Sequence, residues 1–188
     1  MKNFWLDNVQ DVEVLGTFEN ESGVLRVSDP CYDKAVWCAS TMNALKGNWK
    51  SNIVYQDGRV AALLCQHESL DDIEPDSHLW KFESSAGVDS GQCGVFDDKY
   101  FRCDSQVYGL TRECDKIICD DEPFYSFCCD RTLGEKQAGV LPYGAVSSSG
   151  YGDGEYKVVS VSEQHLVTAI MIDYLGVTVT NDEDDDEE

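Results

Sequence analysis

Basic residues are scarce in this chain: 14 lysines and arginines stand against 36 aspartates and glutamates in 188 residues, a formal net charge of −22. Contact with a phosphate backbone relies on Lys and Arg displacing counterions, so direct nucleic-acid binding and anionic membranes are disfavoured. Also missing is any apolar run of membrane-spanning length. The N-terminus, Met1-Lys2-Asn3-Phe4-Trp5-Leu6-Asp7, places only three apolar residues before an acid, too few for a secretory core. A cytoplasmic location is therefore expected. No Walker or dinucleotide fingerprint occurs, so neither ATP nor NAD is expected, and no cofactor is assigned. Val146-Ser147-Ser148-Ser149-Gly150 lacks the glycine two before the serine that a nucleophile elbow needs. Tyr151-Gly152-Asp153-Gly154 does not follow the calcium-loop pattern.

What is present supports a folded protein. The hydrophobic content of 42% is enough for a core. One β-rich domain is expected over residues 1–180, followed by an acidic, solvated tail over 181–188. The seven consecutive acids Asp182 to Glu188 account for about a third of the net charge, so the folded part is acidic too. Such a surface supplies solubility, and it also attracts basic patches on other proteins, making a basic protein the expected partner.

Nine cysteines form an odd set without an export signal, so they are read as thiols. Cys38 and Cys65 sit among apolar neighbours and read as small core residues. Cys103, Cys114, Cys119, Cys128 and Cys129 are denser. Zinc favours thiolates two to four residues apart; Cys114 and Cys119 nearly fit and adjacent Cys128 and Cys129 do not, leaving these four as weak metal candidates against a reduced, loop-rich insertion.

Along the chain, Val12 to Phe18 and Val24 to Val27 flank a Gly-containing turn and read as a hairpin. Asp33 to Lys46 has the best helical spacing, with Asp33 as cap, Ala35, Cys38, Met42 and Leu45 on one face, and Gly47 as the stop. Trp49 to Tyr55 and Val60 to Gln66 flank Asp57-Gly58, a type I′ hairpin signal, and Val60 to Cys65 reads as a strand buried on both faces. His78 to Glu83, Gly91 to Phe96, Gly139 to Ser148, Glu155 to Ser162 and Leu166 to Leu175 add strands, and a short helix is expected near Tyr125 to Cys129. Seven or eight strands favour an α+β, mainly β fold: antiparallel sheets as a sandwich or open barrel with one or two short helices. Trp37, Trp49, Trp80 and Tyr143 read as core aromatics.

Three turns are the most specified positions, because Gly reaches backbone angles others avoid and Asp bonds neighbouring amides. They are Ser28-Asp29-Pro30-Cys31-Tyr32, Val88-Asp89-Ser90-Gly91-Gln92-Cys93-Gly94 and Ser149-Gly150-Tyr151-Gly152-Asp153-Gly154-Glu155-Tyr156. With the flanking strand residues from Ser22, from Gly94 to Asp97 and from Ser148, and in this order, the motifs resemble the Domain of Unknown Function 4241 family over about residues 20–175. The resemblance implies a cytoplasmic, β-rich, single-domain protein of a bacterium, phage or larger virus, and carries no agreed catalytic residues.

The leading reading is a non-enzymatic accessory protein that binds a protein or small ligand. Its candidate residues are Asp29, Tyr32, Asp89, Gln92, Tyr151, Asp153 and Tyr156, of which the last tyrosine and Tyr151 bracket a glycine-rich turn. The alternative is a small divalent-metal-dependent hydrolase using Asp29, Asp89, Asp97 and Asp153 as oxygen ligands, set against the structural option that each Asp bonds a turn amide. A cysteine nucleophile is a further option, with Cys31 or Cys93 served by His67, His78 or His165.

Overall fold

The computed structural model describes residues 11–103 and 123–178. The N-terminal segment, Cys114, Cys119 and the acidic tail lie outside the described residues. Eleven strands are described: β1 (Asp11–Asn20), β2 (Val24–Ser28), β3 (Ser40–Asn43), β4 (Gly47–Gln56), β5 (Arg59–His67), β6 (Lys81–Val88), β7 (Gln92–Asp97), β8 (Ala138–Leu141), β9 (Gly144–Ser148), β10 (Gly154–Glu163) and β11 (Leu166–Asp173). One helix, α1 (Pro123–Thr132), falls where the short helix is expected.

The strands form two sheets, six-stranded in the order β1-β4-β5-β11-β10-β6 and five-stranded in the order β3-β2-β7-β9-β8. All strand-to-strand ladders are antiparallel. The fold is a mainly β sandwich, open rather than closed into a barrel. Among the described residues no helix is long and apolar enough to cross a membrane.

Period-two alternation along β4 and β5 separates the two faces of the larger sheet. Trp49, Ile53, Leu63 and Cys65 join Leu25, Val27, Val95 and Ile170 in the core between the sheets. Val54, Ala62 and Leu64 lie in a second cluster with Trp80, Leu70, Ile73 and Val177. The outer face of the larger sheet is thus covered by the 68–80 loop and the segment after β11, which explains why Val60 to Cys65 is apolar on both sides. A third cluster, Phe96, Phe101, Phe124, Phe127, Cys128, Leu141 and Val146, packs α1 against the outer face of the smaller sheet.

The Asp57-Gly58 turn forms as expected, both residues having positive φ (50° and 74°). Elsewhere local expectations are overturned. Residues 33–46 are not a helix: turns over 33–39 lead into β3, whose Ser40–Asn43 pairs with Val24–Val27 of β2. Tertiary pairing wins there, because β2 would otherwise be left an open edge, and the amides of Ala44 and Leu45 are claimed by the carbonyls of Gly23 and Val167. Val36, Trp37, Thr41 and Asn43 are also indifferent helix formers. Gly47, with φ of +119°, starts β4 instead of stopping a helix.

The β1–β2 hairpin does not form either. β1 pairs with β4 in one sheet, and β2 pairs with β3 and β7 in the other, so residues 21–23 are a crossover between layers. The buried Asp97 holds it: one carboxylate oxygen accepts from the amides of Glu21 (2.7 Å) and Ser22 (2.8 Å), the other from Lys99 (2.9 Å). Gly139 to Ser148, expected as one strand, is the β8–β9 hairpin, turning at Pro142-Tyr143.

Candidate functional site

The three turns, distant in sequence, meet at one end of the sandwich. Asp29 is fully buried and does most of the joining. One oxygen accepts from the amides of Asp89 (2.9 Å) and Ser90 (2.8 Å) in the second turn; the other accepts from the Ser90 hydroxyl (2.6 Å) and the Cys31 amide (2.8 Å). The carbonyl of Gly91 then accepts from the amide of Ser149 at 3.0 Å, tying the second turn to the third. Within the third turn, the Ser149 and Tyr156 hydroxyls both donate to the Gly152 carbonyl, at 2.6 and 2.8 Å. A burial cost for a carboxylate is offset only when its oxygens are satisfied, and four donors satisfy Asp29.

Two layers follow from this scaffold. The inner one is closed. Gln92 is buried, accepting from the Thr132 hydroxyl (2.9 Å) and donating towards the Tyr125 hydroxyl and the Cys129 sulfur, each at 3.4 Å, so it links the second turn to α1. Tyr156 is buried against Tyr174, ring edge to face at 5.1 Å. Tyr32 is half-buried; burial pushes its hydroxyl up, as do the Asp89 carboxylate and the Cys38 thiol beside it.

The outer layer is exposed. Asp89, Asp153 and Glu155 face solvent, and Tyr151 is 72% exposed with the Arg59 guanidinium 5.1 Å from its ring centre. Trp37 joins this end, because the Cys38 carbonyl accepts from the amide of Gly87, which stands opposite Glu155. It is 93% exposed, contrary to the expected core position. Trp49 and Trp80 are in the core, and Tyr143 is half-buried, stacked on Tyr100 at 3.8 Å. The sequence signal that marks Trp37 is its setting, with charged Asp33 and Lys34 shortly before it and only the small Ala35 and Ala39 two residues to either side.

Cys31, Cys93, His67, Asp29 and Asp97, groups that covalent or metal chemistry would use, are buried or engaged. Burial and the neighbouring Asp29 push the Cys31 thiol up to about 12, and burial followed by Asp29 drives Cys93 up as well. A nucleophilic cysteine needs the opposite shift. His67 is held between the Ser69 hydroxyl (2.7 Å) and the Lys46 carbonyl (3.0 Å), and among the described residues no hydrogen bond joins a histidine ring to a thiol. Cys38, read as core, is half-buried in the turn region, and only Cys65 of that pair is buried. Cys128 is buried on the sheet-facing side of α1, with its thiol raised by burial. Both oxygens of Asp29 and of Asp97 are committed to backbone amides, and Asp153 stands exposed. Among the described residues no group of three or more His, Cys, Asp or Glu is placed to share an ion.

Asp173, placed by the sequence reading inside the Leu166 to Leu175 strand although Gly176 three residues on marks a turn, repeats the pattern: buried, it accepts from the amides of Gly176 (2.7 Å), Val177 (2.9 Å) and Thr178 (2.9 Å) and from the Thr178 hydroxyl (2.6 Å). It pins the segment that covers the second core cluster. Compared with known proteins, the chain matches no family model, no curated protein and no solved structure.

Proposed function

We propose that this protein is a binding module whose turn-bearing end docks a basic surface of another protein. The observation that carries the reading is the division of that end into two layers. Buried Asp29, Gln92 and Tyr156 are satisfied internally and fix the backbone, while Trp37, Tyr151, Asp89, Asp153 and Glu155 are left at the surface. Large aromatics with few rotatable bonds make effective interface anchors, and acids around them attract Lys and Arg while rejecting acidic competitors. Arg59 over Tyr151 restrains the ring before binding, which lowers the ordering cost.

Non-enzymatic action is supported by the raised thiols of Cys31 and Cys93 and by the full engagement of Asp29. The meeting of the three motifs supports treating them as one unit, in keeping with the family resemblance, a bacterial, phage or viral origin, and a cytoplasmic site of action. The test is capture of partners on immobilised protein at low and high salt, beside the Trp37→Ala/Tyr151→Ala variant. A partner held at low salt, released by high salt and missed by the variant is expected. An identical set of captured proteins under all these conditions would rule the reading out.

A further inference from the structure

The opposite border of the larger sheet carries a second, independent surface. β1 is an edge strand, and Asp11–Val14 is exposed at every residue, with β4 on one side and no strand on the other among the described residues. Natural edges are usually blunted by lysine, proline or a covering loop. Here the bulge between Val14 and Gly16 ends the flat section, but before it Val12 and Val14 are 49% and 63% exposed on the outer face. Their cross-strand partners on that face are Val54 and Asn52.

Asn52 supplies the second observation. It is only 8% exposed, and its side-chain Oδ1 has no hydrogen-bond partner among the described residues. It is the single buried side-chain acceptor so placed among them. A buried acceptor left unpaired is costly, so a donor arriving from outside would be rewarded. The oxygen is closed off from solvent, so that donor reaches it only as the side chains over it, such as Val14, its neighbour across the ladder, turn aside.

Charge selects the donor. Asp11 and Glu13 alternate with the two valines on the edge, Glu13 on the opposite face pairing with Lys136 at 3.1 Å, and the 68–80 loop brings exposed Asp71, Asp72 and Glu74 over the face of Asn52, where Asp72 meets Lys50; the five acids outnumber these two lysines, and the loop is held by Gln66, which donates to the Asp71 carbonyl (3.1 Å) and accepts from the Ile73 amide (3.2 Å). A second copy of this chain, at −22, is electrostatically the wrong occupant.

We infer that the Asp11–Val14 edge takes up an extended, basic segment of a partner protein as an added antiparallel strand, an arginine or lysine of which lies over Val14 and donates to Asn52 Oδ1. The backbone ladder gives the added strand its affinity, and alternate side chains give it selectivity. The aliphatic stem of the basic residue covers the exposed valine and its head reaches the orphan acceptor, so one side chain satisfies both features. This surface does not depend on the turn-bearing end.

The probe is a synthetic peptide of eight residues alternating arginine and valine, titrated onto the full-length protein by fluorescence anisotropy. Binding is expected, with no binding of the analogue carrying glutamate for arginine. N-methylation of alternate peptide amides, which removes ladder donors and needs no protein variant, should weaken binding at least about tenfold. Asn52→Leu leaves the net charge unchanged; it should weaken binding about tenfold or more while raising the melting temperature, since it removes the unpaired acceptor. Trp37→Ala/Tyr151→Ala should bind the peptide like the parent, so failure here and failure at the turn-bearing end are separable. Equal affinity for the N-methylated peptide, or equal affinity of Asn52→Leu, would overturn the inference, as would sedimentation showing a dimer of this chain that Val14→Lys disperses.

Discussion

Asp29 and Ser90 are separated by 61 residues and joined twice, the Ser90 amide at 2.8 Å and its hydroxyl at 2.6 Å both donating to the one buried carboxylate. The two turns that this contact unites belong to different strands of different sheets, β2 before the first and β6 before the second. A charge in a low-dielectric setting strengthens every hydrogen bond it accepts, and it penalises any arrangement that leaves it unmet. Asp29 therefore acts on the relative position of the sheets as well as on its own turn.

Asp29→Asn places an amide group where the carboxylate met four donors. An asparagine keeps one acceptor oxygen and turns a second set of donors on the amides. Destabilisation of about 3 kcal/mol is expected, measured as a shift in the urea midpoint at constant slope. Ser90→Ala, which removes one donor and leaves the two backbone amides in place, should cost about 1 kcal/mol. Equal effects of the two changes would mean that the carboxylate is not the organising group.

Gly150 is held to a close approach that only glycine permits. Its φ is +70°, and a Cβ built there would lie 2.7 Å from the carbonyl oxygen of Val60. Gly150→Ala is expected to cost about 2–3 kcal/mol, part from the left-handed backbone and part from the push against β5. Gly152, also at positive φ (+98°) but with nothing within 4 Å of the built Cβ, should lose only about half as much on the same substitution. Thermal melts of the two variants separate the steric contribution from the conformational one.

The positions of Gly and Asp make the three turns legible in the sequence, because both residue types are chosen for local reasons. Alternation along Trp49 to Gln66 and Leu166 to Leu175, with the Asp-Gly dipeptide, is equally readable, since a hairpin's partner lies close in sequence. Strand pairing across layers is not. Nothing near Val12 or Val24 dictates that their partners are Val54 and Asn43, 42 and 19 residues away. Residues 33–46 mislead because Ala35, Cys38, Met42 and Leu45 share helical spacing by chance, while the decisive fact, the free side of β2, belongs to another segment. Within the site, the turn chemistry of Asp29 is visible in its own neighbours but its clamp on Ser90 is not, and the exposure of Trp37 depends on what the rest of the chain fails to cover.

The crossover held by Asp97 gives a third expectation. Asp97→Asn leaves the amides of Glu21 and Ser22 facing a neutral side chain, which loosens the passage between sheets without removing an apolar contact from any of the three core clusters. About 2–3 kcal/mol should be lost. Hydrogen exchange should quicken first at Glu21 and Ser22 and only later in β5 and β11, whose central positions are fully buried. Uniform acceleration across all strands would show instead that the crossover opens only with global unfolding.

Alkaline pH tests the closed inner layer. Burial and Asp29 raise the Cys31 thiol from an ordinary value of 9.0 to about 12, and burial raises the Cys65 thiol to about 12 as well. Below pH 9 both thiols are protonated in the folded and the unfolded chain, and their contribution to stability is fully present. Between pH 9 and about pH 12 the unfolded chain releases these protons while the folded chain keeps them, so the folded state binds more protons and stability falls as pH rises. Urea midpoints should decline across that window. The Cys31→Ser/Cys65→Ser variant should show a shallower decline, because hydroxyls do not titrate there. Iodoacetamide, which requires thiolate, should label folded protein slowly at pH 8, with label appearing at Cys31 before Cys65 because only the former is partly exposed. Rapid labelling of Cys31 at neutral pH would mean an activated thiol and would reopen the nucleophile reading.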